Sequence, residues 1–292
     1  MESLFINYSL VRIKAILNYF FLLSGFFFLL TMLFPSNLKA QGNLLITPKR
    51  IVFEGSKRSE ELNLANIGTD TATYIISFVQ IKMKEDGSFE QILEVDSSQK
   101  IASNNLRFFP RSVRLGPNDA QSVKVQLLKT NELSTGEYRS HLYFRATLSD
   151  KPLGTDEKKK DSVVSVQLTP IFGITLPVLI RVGESTTKLS LSNPSIMLGK
   201  DGEPVLKIII NRSGNMSSYG DITVTYISAE GKITRVGVVK GLAVYTPNSK
   251  RDFQLKLESN QNIDYKSGKL HIAYTDQSLK PKILAEEDMI LN

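Results

Sequence analysis

The sequence has no cysteine and no tryptophan, and only two histidines among its 292 residues. Without Cys there is no disulfide and no lipid joined to an N-terminal Cys, so an exported chain of this kind must hold its fold by packing alone. His141 and His271 stand far apart, each alone in an extended-looking segment. Metal sites need several ligands converging at fixed spacing, so both read as packed or surface residues and no metal is expected. There is no phosphate-cradling glycine-rich loop, no zinc-binding helix motif and no calcium loop. Ser97 and Lys100 match an SxxK pattern, but the helix and partner motifs that give that pattern meaning are missing. Nothing supports an enzyme, and no cofactor is expected. Helical periodicity is also missing beyond the first forty residues.

What is present is ample apolar content, 41% of residues, enough for packed cores. The formal charge of +7 is spread along the chain, so nothing calls for nucleic acid. Arg12 and Lys14 precede an apolar run over 15–34, and Ala40 ends a short polar stretch. This reads as a cleaved secretory signal over 1–40, with an uncleaved membrane anchor as the rival.

After residue 40, short alternating runs separated by turns fill the chain. The first, over 44–53, reads as one strand. Residues 61–66 alternate, and 74–79 read as a strand buried on both faces. Asp86-Gly87 is a hairpin signal between Met83 and Phe89. Runs at 106–109, 113–115, 123–127 and 137–147 follow. About seven strands with regular turns make the pattern of an immunoglobulin-like sandwich over 41–183. The polar break at Gly183-Glu184-Ser185-Thr186 marks a boundary, and a smaller β-sandwich is expected over 184–292. Its strands are expected at 189–191, 205–211, 221–228, 233–239, 253–257 and 269–274. Glu286-Glu287-Asp288 reads as a solvated tail.

The segment 162–182 (SVVSVQLTPIFGITLPVLIRV) stands apart. Val164, Val166 and Leu168 share one face of an extended strand, with Ser165, Gln167 and Thr169 on the other. Pro170, Gly173 and Pro177 interrupt it, and a strand carrying Pro belongs at a sheet edge or a bulge. The charged stretch before it, with Lys158-Lys159-Lys160, reads as a solvated loop. Taken as residues alone, Val164, Val166 and Leu168 fit packing within the first sandwich. That packing is the preferred reading of the residues by themselves, with an edge held open for another chain as the alternative.

Several segments together resemble the periplasmic chaperones of the chaperone–usher pilus assembly pathway, in its archaic or alternative branch. They are 46–55 (ITPKRIVFEG), Leu115-Gly116-Pro117, 136–142 (GEYRSHL) and 173–181 (GITLPVLIR). In the second domain they are 212–215 (RSGN), 218–221 (SYGD) and 244–247 (VYTP) with Arg251. The resemblance implies a periplasmic chaperone that lends an edge strand to pilus subunits lacking their last strand and passes them to an outer-membrane usher. It implies that Val164, Val166 and Leu168 insert into the subunit, and that Arg50 anchors the subunit's C-terminal carboxylate. The family's second anchoring Lys has no counterpart at Thr175, Leu176 or Pro177, which leaves Lys49 or Arg181 to join Arg50. The acid that usually accompanies Arg181 is expected to be missing, since Arg139 falls in its place. Self-pairing of the free edge is a further possibility, and the competing reading is a structural or adhesive two-sandwich component of a surface assembly.

Overall fold

The computed structural model describes residues 44–94, 99–147, 171–259 and 263–291. Among them there is no α-helix; one 3-10 turn, Ser103–Asn105, interrupts the strands. The chain is all-β and builds two β-sandwiches.

In the first sandwich one sheet has the order β1 (Leu44–Thr47), β3 (Ser59–Asn66), β9 (Ala120–Leu127), β7 (Leu106–Phe109). The other runs β2 (Ile51–Phe53), β11 (Gly173–Val182), β10 (Gly136–Ala146), β4 (Ala72–Val79), β8 (Ser112–Leu115). Each strand feeds the core with every second residue. Leu62 and Leu64 of β3, Val123 and Val125 of β9, and Leu142 and Phe144 of β10 are all fully buried. Their sequence neighbours Glu61, Lys124 and Gln126 face water, as a period of two requires.

A turn inside this core is held by one buried amide. Asn66 donates through Nδ2 to the carbonyls of Asp70, Leu115 and Gly116, at 2.8, 3.1 and 3.1 Å, and accepts from the Gly68 N–H. Every polar atom of that side chain is satisfied, which is what burial of an amide demands.

The second sandwich pairs a three-stranded sheet with a four-stranded one. The first has the order β12 (Lys188–Leu198), β13 (Pro204–Ser213), β16 (Lys250–Lys256). The second runs β15 (Ile233–Val244), β14 (Ser218–Ile227), β17 (Gly268–Thr275), β18 (Ile283–Leu291). Leu206, Ile208 and Ile210 face Ile222, Val224, Leu270, Ile272 and Tyr274 across its core. The last first-sandwich residue packed on its core is Val182, and the first of the second is Leu189.

Three sequence readings change. The run 44–53 is two strands, not one. Pro48 has no N–H to give a ladder. The chain leaves β1, which pairs with β3, and re-enters the opposite sheet as β2, parallel to β11. Residues 74–79 are buried on one face only: Tyr74 and Ile76 enter the core while Ile75 is 47% exposed. The acidic run near the C-terminus is no tail. Glu286 and Asp288 are the exposed face of β18, which pairs with β17 over its length.

A hairpin, β5 (Ile81–Met83) and β6 (Phe89–Gln91), leaves the first sandwich at the expected Asp86-Gly87 turn. Gly87 has φ 82°, where a side chain is strained, and a Cβ there would run into the Arg251 guanidinium. The hairpin is fastened to the second sandwich: Asp252 N–H donates to Glu85 O (2.7 Å), Asn248 Nδ2 to Met83 O (2.9 Å), and Lys250 pairs with Glu85 (2.9 Å).

Phe53 is fully buried where the chain has just changed sheets. Phe53→Ala is expected to destabilise the protein by about 3–5 kcal/mol, the usual cost of so large a cavity. A lowered urea midpoint with an unchanged m-value would show it.

Candidate functional site

The outward face of β11 and β10 carries the residues that matter. Alternation puts Glu137, Arg139, His141 and Tyr143 on it, opposite Arg181, Leu179, Pro177 and Thr175 respectively. β2 adds Val52 beside Leu179. The second sandwich lies over this row, and Leu179 and Met83 pack with Ala243 and Tyr245, flanked by Val52 and Tyr219.

Glu137 is the buried charge at the junction, its side chain fully covered. Arg181 Nε donates to Oε2 at 3.0 Å, and the Ser217 N–H donates to the same oxygen at 3.2 Å. Ser217 Oγ donates to Oε1, with Thr246 Oγ1 at 3.5 Å. Arg181 Nη2 continues to Ser217 O at 2.9 Å, and Nη1 lies 4.0 Å from Glu54. So Arg181 has an acidic partner after all, correcting the sequence expectation. The acid stands at 137, two residues before Arg139, and a shift of two keeps the same strand face. Arg212, also buried, donates to the carbonyls of Asn248, Gly214 and Met216 and so shapes the loop that presents Ser217.

Arg50 sits in the link between β1 and β2. Its guanidinium lies 4.3 Å from the Tyr219 ring centroid and 5.8 Å from that of Tyr245, the geometry of cation–π contact. Its Nε and Nη1 are buried with no hydrogen-bond partner among the described residues. The cleft it lines also has Arg181, Ser217, Tyr219 and Asp276 on its walls. The structure therefore brings Arg50 and Arg181 to one cleft, but in different states. Arg181 is engaged by Glu137 and Ser217, whereas Arg50 has donors to spare. Lys49 points to solvent.

A third guanidinium, Arg139, is 4.2 Å from the Tyr245 centroid. Burial, chiefly, holds its pKa below the usual arginine range, with Arg50 adding to the effect. Burial pushes the Tyr245 phenol up, and the two arginines partly offset that. Sequence reasoning quoted Glu137, Tyr219 and Tyr245 within motifs but did not give them this role. The signal available was the shared face of Glu137, Arg139 and His141.

The edge of β11 beside this cleft is open. β10 covers one side of β11 from Gly173 to Val182, but β2 covers the other side only at Val178, Leu179 and Ile180. From Gly173 to Pro177 that side has no strand partner among the described residues. Phe172 is 55% exposed and Ile174 39% at this edge. Phe172 is still extended along the sheet, since its carbonyl accepts the Ala146 N–H at 3.0 Å. Gly173 is needed here because the Tyr143 ring crosses it where a Cβ would be. Val164, Val166, Leu168 and the lysines at 158–160 lie outside the described residues.

The histidines go separate ways. His271 lies on the exposed face of β17, with Nδ1 2.8 Å from Asp288. His141 is buried beside Phe89, ring centroids 6.5 Å apart, and its Nδ1 has no partner among the described residues. Burial first, and the neighbouring Arg139 second, lower its pKa to about 3. No group of three or more His, Cys, Asp or Glu among the described residues is placed to hold a metal. No helix among them is long and apolar enough to cross a membrane.

No protein-family model matches the chain, and no curated protein matches it. Solved structures do. The YadV chaperone is 12% identical, with 85% of this chain and 99% of that one covered and a TM-score of 0.43. The Escherichia coli chaperone DraB is 12% identical over 86% of this chain and 97% of its own, with a TM-score of 0.41. The Pseudomonas aeruginosa CupB2 chaperone is 13% identical over 85% and 100%, with a TM-score of 0.39.

Two measurements probe the junction. Arg181→Ala leaves the Glu137 carboxylate buried without its cation, so unfolding free energy should fall by about 3–5 kcal/mol. His141 is neutral in the native state down to about pH 3, but an unfolded histidine binds its proton near pH 6.5. Its contribution is complete above about pH 6.5 and is lost as pH falls from there towards 3, at up to about 1.4 kcal/mol per pH unit. Replacing His141 with Leu should flatten the stability profile across that window.

Proposed function

We propose that this chain is an assembly chaperone of the periplasm. It lends the open edge of β11 to pilus subunits whose own sandwich lacks a strand, and delivers them to an outer-membrane usher. The observation that carries this reading is the side of β11 from Gly173 to Pro177 that has no strand partner among the described residues, beside a cleft in which Arg50 has buried donors with no partner among those residues.

Phase supports it. The inward positions of β11 are Leu176, Val178 and Ile180, all buried in the chain's own core. Counting back by twos through Ile174, Phe172 and Pro170 reaches Leu168, Val166 and Val164. An uninterrupted extended segment would offer these on the face that β11 already uses for apolar packing. Each such side chain, inserted into a client's core, contributes about 1.5–3 kcal/mol before ordering costs. Backbone pairing along the vacant edge supplies the rest.

Arg50 takes the client's C-terminal carboxylate. Its guanidinium is already placed over the Tyr219 ring, 4.3 Å from the centroid, so little side-chain freedom is lost on binding. A hydrogen bond to a charged group contributes about 1.5–3 kcal/mol. Arg181 then acts at second hand: it holds Glu137 within the first sandwich, and both of them reach across to Ser217 of the second, keeping the two sandwiches together around the cleft. This replaces the paired basic residues of the family with one free arginine and one structural arginine.

Co-expression with a pilin-like protein encoded nearby tests the proposal. The wild-type chain should keep that client soluble and co-purify with it. Val166→Arg should abolish the complex, and Arg50→Ala should weaken it about tenfold or more, while both variants keep the wild-type unfolding free energy within about 1 kcal/mol. A client that is equally soluble without this chain, or a complex indifferent to Val166→Arg, would overturn it.

A further inference from the structure

The junction opens on a second side, away from β2. There a cavity of about 320 Å³ lies against β10 and the start of β5, with Gln99, Lys100 and Arg139 from the first sandwich and Asn215 and Thr246 from the second on its walls. We propose that this cavity is a binding site for a small oxyanion, a carboxylate or a phosphate, which bridges the two sandwiches. The proposal does not depend on the client-binding role above.

Its first support is unmet donors. Arg139 Nη1 and Gln99 Nε2 are both buried and have no partner among the described residues. Buried polar atoms are nearly always paired, so two donors left open on one cavity call for an occupant. Water would satisfy them one hydrogen bond at a time, but charge distinguishes the occupant. Lys100, Arg139 and Arg212 contribute cations to this wall, and Glu137 is its one carboxylate. That carboxylate is spent on Arg181, Ser217 and Thr246. The Lys100 amine donates to Ser134 Oγ at 2.9 Å and Thr135 O at 2.8 Å, neutral acceptors that leave its charge uncompensated. Arg212 is buried and Arg139 half-buried, with Lys100 exposed beside them, and this excess of positive charge favours an anion over a neutral guest.

The second support is shape. A guanidinium presents a planar fork suited to a two-oxygen partner. Arg139 is already held on one side by Ile81 O, 3.3 Å from Nη2, and by the Tyr245 ring. An anion on Nη1 would meet the nitrogen that is left open. It would also relieve the repulsion that Arg139 feels from Arg50, since both guanidiniums lie near the same Tyr245 ring. With Asn215 and Thr246 also on its walls, occupancy would add a tie between the sandwiches beside the one that the hairpin makes through Asn248.

The test is a titration of the purified protein with sodium acetate, succinate or phosphate at constant ionic strength, against chloride as the reference. Calorimetry and thermal unfolding should show saturable binding and a raised Tm with at least one of these oxyanions. The Arg139 and Gln99 side-chain N–H signals should shift along the same binding curve. Saturation by acetate or succinate alone marks a carboxylate site, and by phosphate alone a phosphate site. Arg139→Lys keeps the charge but loses the fork, and Gln99→Leu removes the second donor; each should weaken binding about tenfold or more. If no oxyanion exceeds chloride, or if both variants bind like wild type, the cavity holds only water and the inference is wrong.

Discussion

The shortness of β2 governs the rest of this molecule. Three residues, Ile51, Val52 and Phe53, pair with β11, and the other seven of its ten residues have no strand partner on that side among the described residues. The cause lies just upstream. Pro48 cannot extend a ladder, so the chain crosses between sheets there and has room for only a brief strand before Glu54 and Gly55 turn it away. One local event thus leaves an apolar edge unpaired and puts Arg50 at its rim. An edge with exposed apolar side chains is a liability unless something covers it, which is why its persistence points towards a partner.

The junction between the sandwiches follows from what β10 and β11 place on one face. Burying Glu137 is tolerable because two donors from Ser217 and one from Arg181 meet its oxygens. Those donors come from different sandwiches, so the carboxylate works as a rivet between them. Around it the aromatic rings of Tyr219 and Tyr245 let Arg50 and Arg139 lie close together despite equal charge. The π faces partly replace the water that the guanidiniums have lost. The hairpin strap adds main-chain bonds at Glu85 and Met83, which do not depend on charge. A junction held by such varied contacts resists flexing, and a rigid cleft positions Arg50 and Arg139 more sharply than a mobile one could.

Much of this was readable in the chain. Runs such as 61–66, 123–127 and 205–211 declare their strands because alternation is a local property, visible without knowing any partner. The turn at Asp86-Gly87 was legible for the same reason: the residue type and the positive φ it needs sit at one position. Less legible was β18, where Glu286, Glu287 and Asp288 masked an alternation whose inward members are only half-buried. The break inside 44–53 was signalled by Pro48, but a proline near a strand end does not say which sheet the chain enters next.

An all-β chain, the inward faces of strands such as 61–66 and 123–127, and the alternation of Val164, Val166 and Leu168 could be read from the residues alone. All of these depend on neighbours two residues apart. It took the tertiary structure to show that Arg181 meets Glu137 and not position 139, that Arg50 rests on Tyr219, and that β2 covers β11 for three residues only. Those facts depend on register between strands more than thirty residues apart and on the seating of one sandwich against the other. A period of two repeats unchanged under a two-residue slip, so no local pattern could have distinguished the true partner from its neighbour on the same face.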